Sequence, residues 1–353
     1  MIYIQSIAHI SIQEPFDEKW FDEPIIYNKR YVRSIEPDYS EFISPLAARR
    51  MGKILKRALT TALKAIQISK IEKPDAIITG TGLGCIENTE KFLLAMLNNN
   101  EELLPPTYFM QSTHNTISSQ IAVHLKSHAY NSTYSHRGTS FDSALLDAIM
   151  QFELGNISSA LVGGQDEMTP QYFELLDKIN YWKKGEISEE ILKKSDTTGT
   201  FVGECSVNFM LSKTKDENSI CGISGMEMMY KPDESQIEKA IQRLLKNNGL
   251  TIDNLDAIIT GINGDKNNDM IYKNVHNTFF NNKPLLWYKH IFGESYTASG
   301  LGLYVAATIL KNKKIPQHLI LKGNAKNIAA RHVLIHNHFQ NKDHSLILLS
   351  WQN

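Results

Sequence analysis

The chain has 353 residues, of which 42% are hydrophobic and 21% charged, as is typical of a soluble globular protein with a large core. A formal net charge of −1 gives no reason to expect nucleic acid or an anionic membrane surface as a partner. Cys85, Cys205 and Cys221 show no paired spacing, which predicts free thiols and a cytoplasmic location. The sequence shows no signal peptide, and no apolar run approaches the roughly 18 residues that a membrane span needs.

The first two elements are predicted as a strand and a helix. Alternating isoleucines in residues 2–12 indicate a first strand or hairpin. Ser44 and Pro45 form a typical helix start, because serine caps free amides and proline suits the first helical position. Apolar residues then recur at i, i+3, i+4 and i+7 as far as Ile66, which predicts one amphipathic helix.

A glycine-rich turn follows the next predicted strand, residues 75–80. The turn reads Gly80-Thr81-Gly82-Leu83-Gly84 and superficially resembles a dinucleotide-binding motif. Its third glycine comes one residue too early for that motif, and no helix with a suitably placed acidic residue follows. We therefore expect a tight turn with close backbone packing, and no cofactor.

The central stretch, residues 134–148, predicts a sharp turn that feeds a helix. A buried strand is predicted after it, at residues 159–164. Unpaired amide groups at a helix N-terminus stabilise negative charge, and many acyl-transfer enzymes place a cysteine or serine nucleophile at such a turn. Residues 165–194 are polar and aromatic, which predicts an irregular excursion that covers the possible site at this turn.

A short sequence repeat indicates a duplicated unit. Residues 75–80 and 256–261 both read Asp-Ala-Ile-Ile-Thr-Gly, and each copy follows an amphipathic helix. In the second half the final strands are predicted at residues 319–321 and 345–349. This order predicts an α/β fold with mostly parallel sheets, and two domains, 1–212 and 219–353, joined by a charged linker.

Motifs in both halves resemble those of the β-ketoacyl-acyl carrier protein synthases over nearly the whole chain. The first half offers Arg49-Arg50-Met51, the glycine turn and Phe201-Val202-Gly203-Glu204. In the second half, Lys289-His290-Ile291-Phe292-Gly293-Glu294, followed by Gly300, is similar to the family motif KSxxGHxxGAAG. The resemblance implies a thiolase-like fold, in which two duplicated α/β halves form an α-β-α-β-α layered sandwich.

Enzymes of that family catalyse decarboxylative Claisen condensation with a cysteine nucleophile and two histidines that stabilise the enolate. The resemblance puts the cysteine position on Gly138, the first histidine on Asn263 and the second on Glu294, whereas the motif lysine is kept as Lys289. A glycine carries no nucleophile, and an ionised Glu294 would repel an enolate, so we expect no catalytic residues at these positions. The family's glycine-rich C-terminal turn is reduced to residues 337–343, without a glycine.

Other candidates for chemistry remain open. Ser135 or Ser140, close in sequence to His136, is an alternative nucleophile for an active acyltransferase or hydrolase, although Ser140 is equally explained as a helix cap. Cys205 lies in a predicted strand and is expected in the core. The pair at residues 336 and 338 has His-x-His spacing but no third ligand, so no metal site is expected.

Together these features resemble a chain length factor, the sister subunit that has lost its cysteine and pairs with an active ketosynthase. The resemblance is to the subunits of aryl polyene and flexirubin-type pigment pathways. It implies a protein that is inactive alone and forms a heterodimer with a ketosynthase that acts on chains bound to an acyl carrier protein. A homodimeric binding protein without a condensing partner is a third hypothesis.

Overall fold

The computed structural model describes residues 1–102, 104–280, 282–325 and 328–351. The strands are β1 (Ile2–Ile10), β2 (Tyr31–Val32), β3 (Ala76–Gly80), β4 (Tyr130–Tyr134), β5 (Ser159–Asp166), β6 (Val202–Gly203), β7 (Cys205–Ser212), β8 (Cys221–Tyr230), β9 (Ala257–Thr260), β10 (Leu285–Trp287), β11 (Ile320–Lys322), β12 (His332–Phe339) and β13 (Asp343–Ser350). The helices are α1 (Pro45–Ala48), α2 (Lys53–Ser69), α3 (Ile86–Asn98), α4 (Pro106–Met110), α5 (Thr116–Leu125), α6 (Ser140–Glu153), α7 (Pro170–Lys178), α8 (Glu189–Lys194), α9 (Glu234–Asn247), α10 (Lys266–Phe279), α11 (Lys289–Phe292) and α12 (Ala298–Asn312).

The main sheet consists of two halves with the same topology. The first half has the strand order β1-β7-β5-β3-β4, and the second has the order β8-β13-β12-β9-β10. The repeated sequence motif therefore forms two equivalent strands, β3 and β9. Strand β11 extends the second half, and antiparallel pairing of β1 with β8 joins the halves into one sheet of eleven described strands.

The expectation of mostly parallel sheets is wrong. In each half only the two junctions next to β3 or β9 are parallel, whereas the pairs β1·β7, β5·β7, β8·β13 and β12·β13 are antiparallel. Strand β7 returns beside β5 after the excursion of residues 167–201, and β13 follows β12 through a tight turn. In each case the chain re-enters the sheet beside the point where it left, with Asp166 paired to Cys205 and Phe339 to Asp343, so the two strands run antiparallel.

The helices and sheet halves stack in the predicted α-β-α-β-α order. In β3, Ile77 packs with α2 and α5 on the outer face, and Ile78 faces the central layer of α6 and α12. In β9, Ile258 packs outward with α9 and α10, whereas Ile259 faces the same central layer. Because successive strand residues point to opposite faces, the repeated Ile-Ile pair supplies an inner and an outer core residue in each half.

Two further sequence expectations need correction. The helix predicted from Ser44 to Ile66 is two helices, α1 and α2, because the chain leaves the helical conformation before Gly52 and restarts at Lys53. Ser44 does cap α1, accepting a hydrogen bond from the Ala47 amide at 3.4 Å. In the second half the strand equivalent to β5 is β12, whereas the strand predicted at residues 319–321 corresponds to the edge strand β11, which begins one residue later.

The division into domains 1–212 and 219–353 remains a prediction. Both sheet halves share the core around α6 and α12, where Ser299 donates a hydrogen bond to Asp142 at 2.8 Å. None of the helices in the described ranges is both long and apolar enough to cross a membrane.

Candidate functional site

The predicted nucleophile turn lies between β4 and α6. Residues 137–139 form a short 3-10 turn directly before α6, and Arg137 adopts a left-handed conformation with φ 47°. The Ser140 hydroxyl donates to the Arg137 carbonyl at 2.7 Å and accepts from the His136 amide at 2.8 Å. Ser140 is therefore the first helical residue and closes the turn, so its interpretation as the N-cap is wrong by one position.

Gly138 is buried at this turn and is covered by an aromatic ring. A Cβ atom built on Gly138 would overlap both the Cβ and the Cγ atoms of Phe339, which ends β12. The overlap reaches the Phe339 Cβ, which cannot move away by rotation of the ring alone. The space that a cysteine side chain would need is thus occupied, and the Phe339 ring is itself packed 5.5 Å from Tyr296.

The two positions that the resemblance assigns to the histidines, Asn263 and Glu294, form one buried polar cluster with Lys289. Lys289 Nζ donates to both carboxylate oxygens of Glu294, at 2.9 and 2.8 Å, and Asn263 Nδ2 donates to Glu294 Oε2 at 2.5 Å. Lys289 is 3% exposed and Glu294 is 8% exposed. The charge of the carboxylate is therefore balanced by Lys289, and both of its oxygens accept hydrogen bonds within the protein. The cluster contains no histidine that could donate a hydrogen bond to an enolate.

The backbone around this cluster is fixed by its neighbours. The Asn263 side-chain oxygen accepts from the Asp265 amide at 3.0 Å, which orients the amide so that Nδ2 faces Glu294. Asp269 accepts from the Asn263 and Gly264 amides at 3.0 and 2.8 Å. Burial raises the pKa of Asp269 to about 6. Hydrogen bonds from acidic and amide side chains thus hold the loop in which the resemblance expects the first histidine.

The predicted excursion holds this loop from the other side. Lys183, which is buried, donates from Nζ to the Gly264 carbonyl at 2.8 Å and to Thr197 Oγ1 at 2.9 Å. Burial lowers the pKa of Lys183, and the carboxylates of Asp265 and Asp269 oppose that change. Lys183 was missed by the sequence analysis, since a lone lysine in a polar stretch gives no signal of burial.

Two cavities share Phe339 and Gln340 as lining residues, and the second also includes residues of the predicted nucleophile turn. The first, of about 410 Å³, is lined by Glu294, Asn263 and hydroxyl groups of the excursion. The second, of about 500 Å³, is lined by Ser135, His136, Arg137, Gly82 and Lys342. Phe339 and Gln340 line both cavities, so the two cavities are adjacent at these residues.

The two alternative serines differ in availability. Ser140 is fully buried, and its hydroxyl proton is donated to the Arg137 carbonyl instead of to a general base. Ser135 is exposed and lines the second cavity beside His136. The geometry therefore favours Ser135 over Ser140 as the candidate nucleophile.

The glycine turn after β3 is held by Asp166, a residue that sequence reasoning missed. Its carboxylate accepts from the Gly82 and Leu83 amides at 2.9 and 3.2 Å. Burial raises the pKa of Asp166 to about 7, and these hydrogen bonds oppose that rise. The carboxylate fills the position that an anionic ligand would take at such a turn, which agrees with the expectation of tight packing there.

The remaining candidates lie in the core. Cys205 is fully buried, its Sγ contacts the hydroxyls of Ser295 and Thr297 at 3.3 and 3.2 Å, and burial raises its pKa to about 12. His336 and His338 are also buried. In the described part of the chain, no group of three or more His, Cys, Asp or Glu side chains is arranged to hold a metal ion.

Comparison with known proteins establishes the fold. Residues 20–187 match the family model described as "Beta-ketoacyl synthase, N-terminal domain". The structure is similar to "the ishigamide ketosynthase/chain length factor" (TM-score 0.80, 16% identity, 100% of this chain and 99% of that chain). It is also similar to a β-ketoacyl synthase from Burkholderia phymatum (TM-score 0.80, 13% identity, 100% and 99%). No curated protein sequence gives a match.

A third similar structure contains a carrier protein. It is described as a "type II PKS acyl-carrier protein in complex with its ketosynthase bound to the hexaketide" (TM-score 0.76, 11% identity, 99% of each chain). These likenesses cover the whole chain, so the chain has the thiolase-like fold of the ketosynthases, as the sequence motifs predicted.

Proposed function

We propose that the chain is a non-catalytic ketosynthase-like subunit, a chain length factor, that pairs with an active β-ketoacyl-acyl carrier protein synthase. The main support for the proposal is that other side chains occupy or bind all three positions that the resemblance assigns to catalytic residues. Phe339 covers Gly138, and Asn263 and Glu294 bind each other and Lys289. If only the nucleophile had been lost, we would expect an open pocket at Gly138 and hydrogen-bond donors for an enolate at positions 263 and 294.

The protein surface supports a partner subunit. Strand β4 pairs only with β3 and ends the sheet, so its other edge is open for pairing in the described structure. A second exposed surface is an apolar patch on α3 and α4; its members are between 50% and 76% exposed, and they are Leu93, Leu94, Leu97, Phe109 and Met110. Exposed apolar patches of this kind mark protein interfaces, and we assign this one to the partner ketosynthase.

The finer parts of the proposal rest on the sequence resemblance. We place the subunit in the cytoplasm, in an aryl polyene or flexirubin-type system, acting on polyene or polyketide chains bound to an acyl carrier protein. The two similar structures described as a ketosynthase/chain length factor and as a carrier protein in complex with its ketosynthase are consistent with such partners.

Co-expression with a ketosynthase encoded beside this chain, followed by size-exclusion chromatography and an elongation assay, tests the proposal. We expect a 1:1 heterodimer that elongates acyl-carrier protein with malonyl-carrier protein, and no elongation by the isolated chain. Elongation by the isolated chain would overturn the non-catalytic assignment. A stable homodimer that does not associate with any co-expressed ketosynthase would instead favour a binding protein without a condensing partner.

An acyltransferase or hydrolase that uses Ser135 is the second candidate function. It is favoured by the exposure of this serine in a cavity of about 500 Å³ that His136 also lines. Intact-protein mass spectrometry after incubation with an acyl thioester distinguishes the two. An acyl adduct that disappears in Ser135→Ala supports the enzyme, and an unmodified chain supports the non-catalytic subunit.

A further inference from the structure

A small cavity lies at the end of β5, beside β6 and the glycine turn. It has a volume of about 10 Å³, close to the smallest that holds one water molecule, and its lining includes Asp166, Glu167, Glu204 and Ser295. A larger surface cavity of about 340 Å³ is lined by exposed side chains of α3 and shares Glu167, Met168 and Glu204 with the small one. The two cavities are therefore adjacent at these shared residues.

One carboxylate oxygen of Asp166 has no partner. Its Oδ1 accepts from the Gly82 and Leu83 amides, but its Oδ2 is buried and has no hydrogen-bond partner among the described residues. The Thr297 hydroxyl lies close to this carboxylate without reaching hydrogen-bond geometry at Oδ2. Leaving a buried carboxylate oxygen unpaired is costly, so an unpartnered oxygen on a residue that lines a cavity points to a bound species.

The buried charges around the small cavity do not balance. Asp166, Glu167 and Glu204 are each no more than 5% exposed. Arg57, which is 1% exposed, pairs with Glu204 at 2.9 Å and also with the partly exposed Glu36. Within the described ranges neither Asp166 nor Glu167 forms an ion pair with a lysine or an arginine. One shared cation thus faces a group of three buried carboxylates.

The exposed cations nearby do not remove this imbalance. Arg33, Lys53 and Lys91 line the surface cavity, where water screens their charges, and Lys91 is already paired with a glutamate of α3. Burial raises the pKa of Asp166 and that of Glu167 to about 7. Above that pH both carboxylates are ionised, and a cation in the small cavity balances their charge.

The available oxygens suit an alkali-metal cation. Carboxylate oxygens of Glu167 and Glu204 already accept hydrogen bonds from backbone amides, whereas Asp166 Oδ2 is without a partner. No three His, Cys, Asp or Glu side chains of the described chain are arranged around a metal, which disfavours a transition metal. A hard cation accepts one carboxylate together with neutral oxygens such as the Ser295 hydroxyl. Potassium is about as large as a water molecule and therefore fits the cavity.

We propose that the small cavity binds one potassium ion through Asp166 Oδ2 and the Ser295 hydroxyl. The ion fixes the carboxylate that holds the glycine turn. It also acts on the next residue, Glu167, whose Oε1 accepts from the Glu87 amide at 3.1 Å and so holds the start of α3. The site belongs to the isolated chain and needs no partner subunit, so it can be tested apart from the proposed function.

Thermal unfolding of the isolated chain at about pH 8 tests the site, in KCl and in choline chloride at equal ionic strength, because choline is too large for the cavity. At about 100 mM salt we expect the unfolding temperature to be about 2–4 °C higher in KCl. Asp166→Asn keeps the oxygen that accepts from the Gly82 and Leu83 amides but puts an uncharged NH₂ group in place of Oδ2. We expect this variant to lose the difference between the two salts.

Asp269→Asn is the matched control, since Asp269 is also fully buried but both of its oxygens accept hydrogen bonds. We expect it to keep the wild-type difference. Equal unfolding temperatures of the wild type in the two salts would overturn the proposal and would mean that the cavity holds water only. A difference that Asp166→Asn retains would overturn it too, because the ion would then bind elsewhere.

Crystals of the wild-type chain soaked in rubidium chloride give a second readout that depends on no variant. Rubidium replaces potassium and scatters anomalously, so we expect an anomalous peak within contact distance of Asp166 Oδ2. The absence of a peak there would overturn the site even if Asp166→Asn fails to fold. A peak without a difference in unfolding temperature would mean binding at crystal concentration only, which also counts against the proposal.

Discussion

Lys289→Met is expected to destabilise the protein strongly, because it leaves Glu294 buried with Asn263 as its remaining side-chain donor. Both oxygens of the carboxylate lie within 2.9 Å of Lys289 Nζ, and neither residue is more than 8% exposed. Breaking a buried ion pair by removing one partner typically costs about 3–5 kcal/mol, and we expect a loss of that size in the free energy of unfolding. The apolar double variant Lys289→Met/Glu294→Leu is expected to recover most of it.

Urea unfolding followed by tryptophan fluorescence measures these differences, since Trp20, Trp182 and Trp287 are all buried. Lys91→Met is the control, because Lys91 bonds Glu87 at 2.7 Å but both side chains are about one third or more exposed, so a loss below about 1 kcal/mol is expected. A loss below about 1 kcal/mol for Lys289→Met, or additive losses in the double variant, would show that Glu294 is not held by Lys289 in the way described.

Three further predictions concern the turn, the histidines and the surface. Gly138→Cys is expected to give no condensation activity and to lower stability by about 1–3 kcal/mol in thermal unfolding, a loss that Phe339→Gly, which removes the overlapping Cβ as well as the ring, should relieve; elongation by the single variant would contradict this. Because the pKa of His344 falls from 6.5 to about 4 on folding, only the unfolded chain binds this proton between those values, so stability declines as pH falls from 6.5 to 4 and is unaffected above 6.5. The free energy of unfolding should differ between pH 7 and pH 4.5, and we expect His344→Phe to reduce that difference by about 2–3 kcal/mol. An equal difference in the wild type and the variant would refute this prediction. Leu97→Asp is expected to weaken association with the ketosynthase at least tenfold in sedimentation, whereas Leu175→Asp, on exposed α7, should not.

Local features of the sequence were sufficient to predict most helices and strands, but not to predict how these elements contact one another. The repeated Ile-Ile pair predicted equivalent buried strands, because strand periodicity depends only on neighbouring residues. Motif order also predicted the layered fold. The direction of β7 and β13 was predicted wrongly, since parallel and antiparallel strands that are buried on both faces have the same apolar composition.

The site could be located from the sequence, but what fills it could not be predicted. Glycine at position 138 indicates a missing nucleophile, yet nothing local shows that Phe339, 201 positions later, occupies the space. Similarly, Asn263 and Glu294 are assigned by separate motifs, and their hydrogen bond is a product of tertiary packing. The histidines of β12 were considered only as metal ligands, because the sequence does not reveal that His344 pairs with His336 across the hairpin.

The shared central layer has a consequence for synthesis of the chain on the ribosome. Helix α6 is buried against α12, which emerges more than a hundred residues later. Until then, apolar side chains such as Phe141 and Val207 lack the cover that Gly300 and its neighbours in α12 supply. A nascent first half therefore exposes a wide apolar surface for several seconds at ordinary elongation rates of roughly 5–20 residues per second, and is a natural client for chaperones.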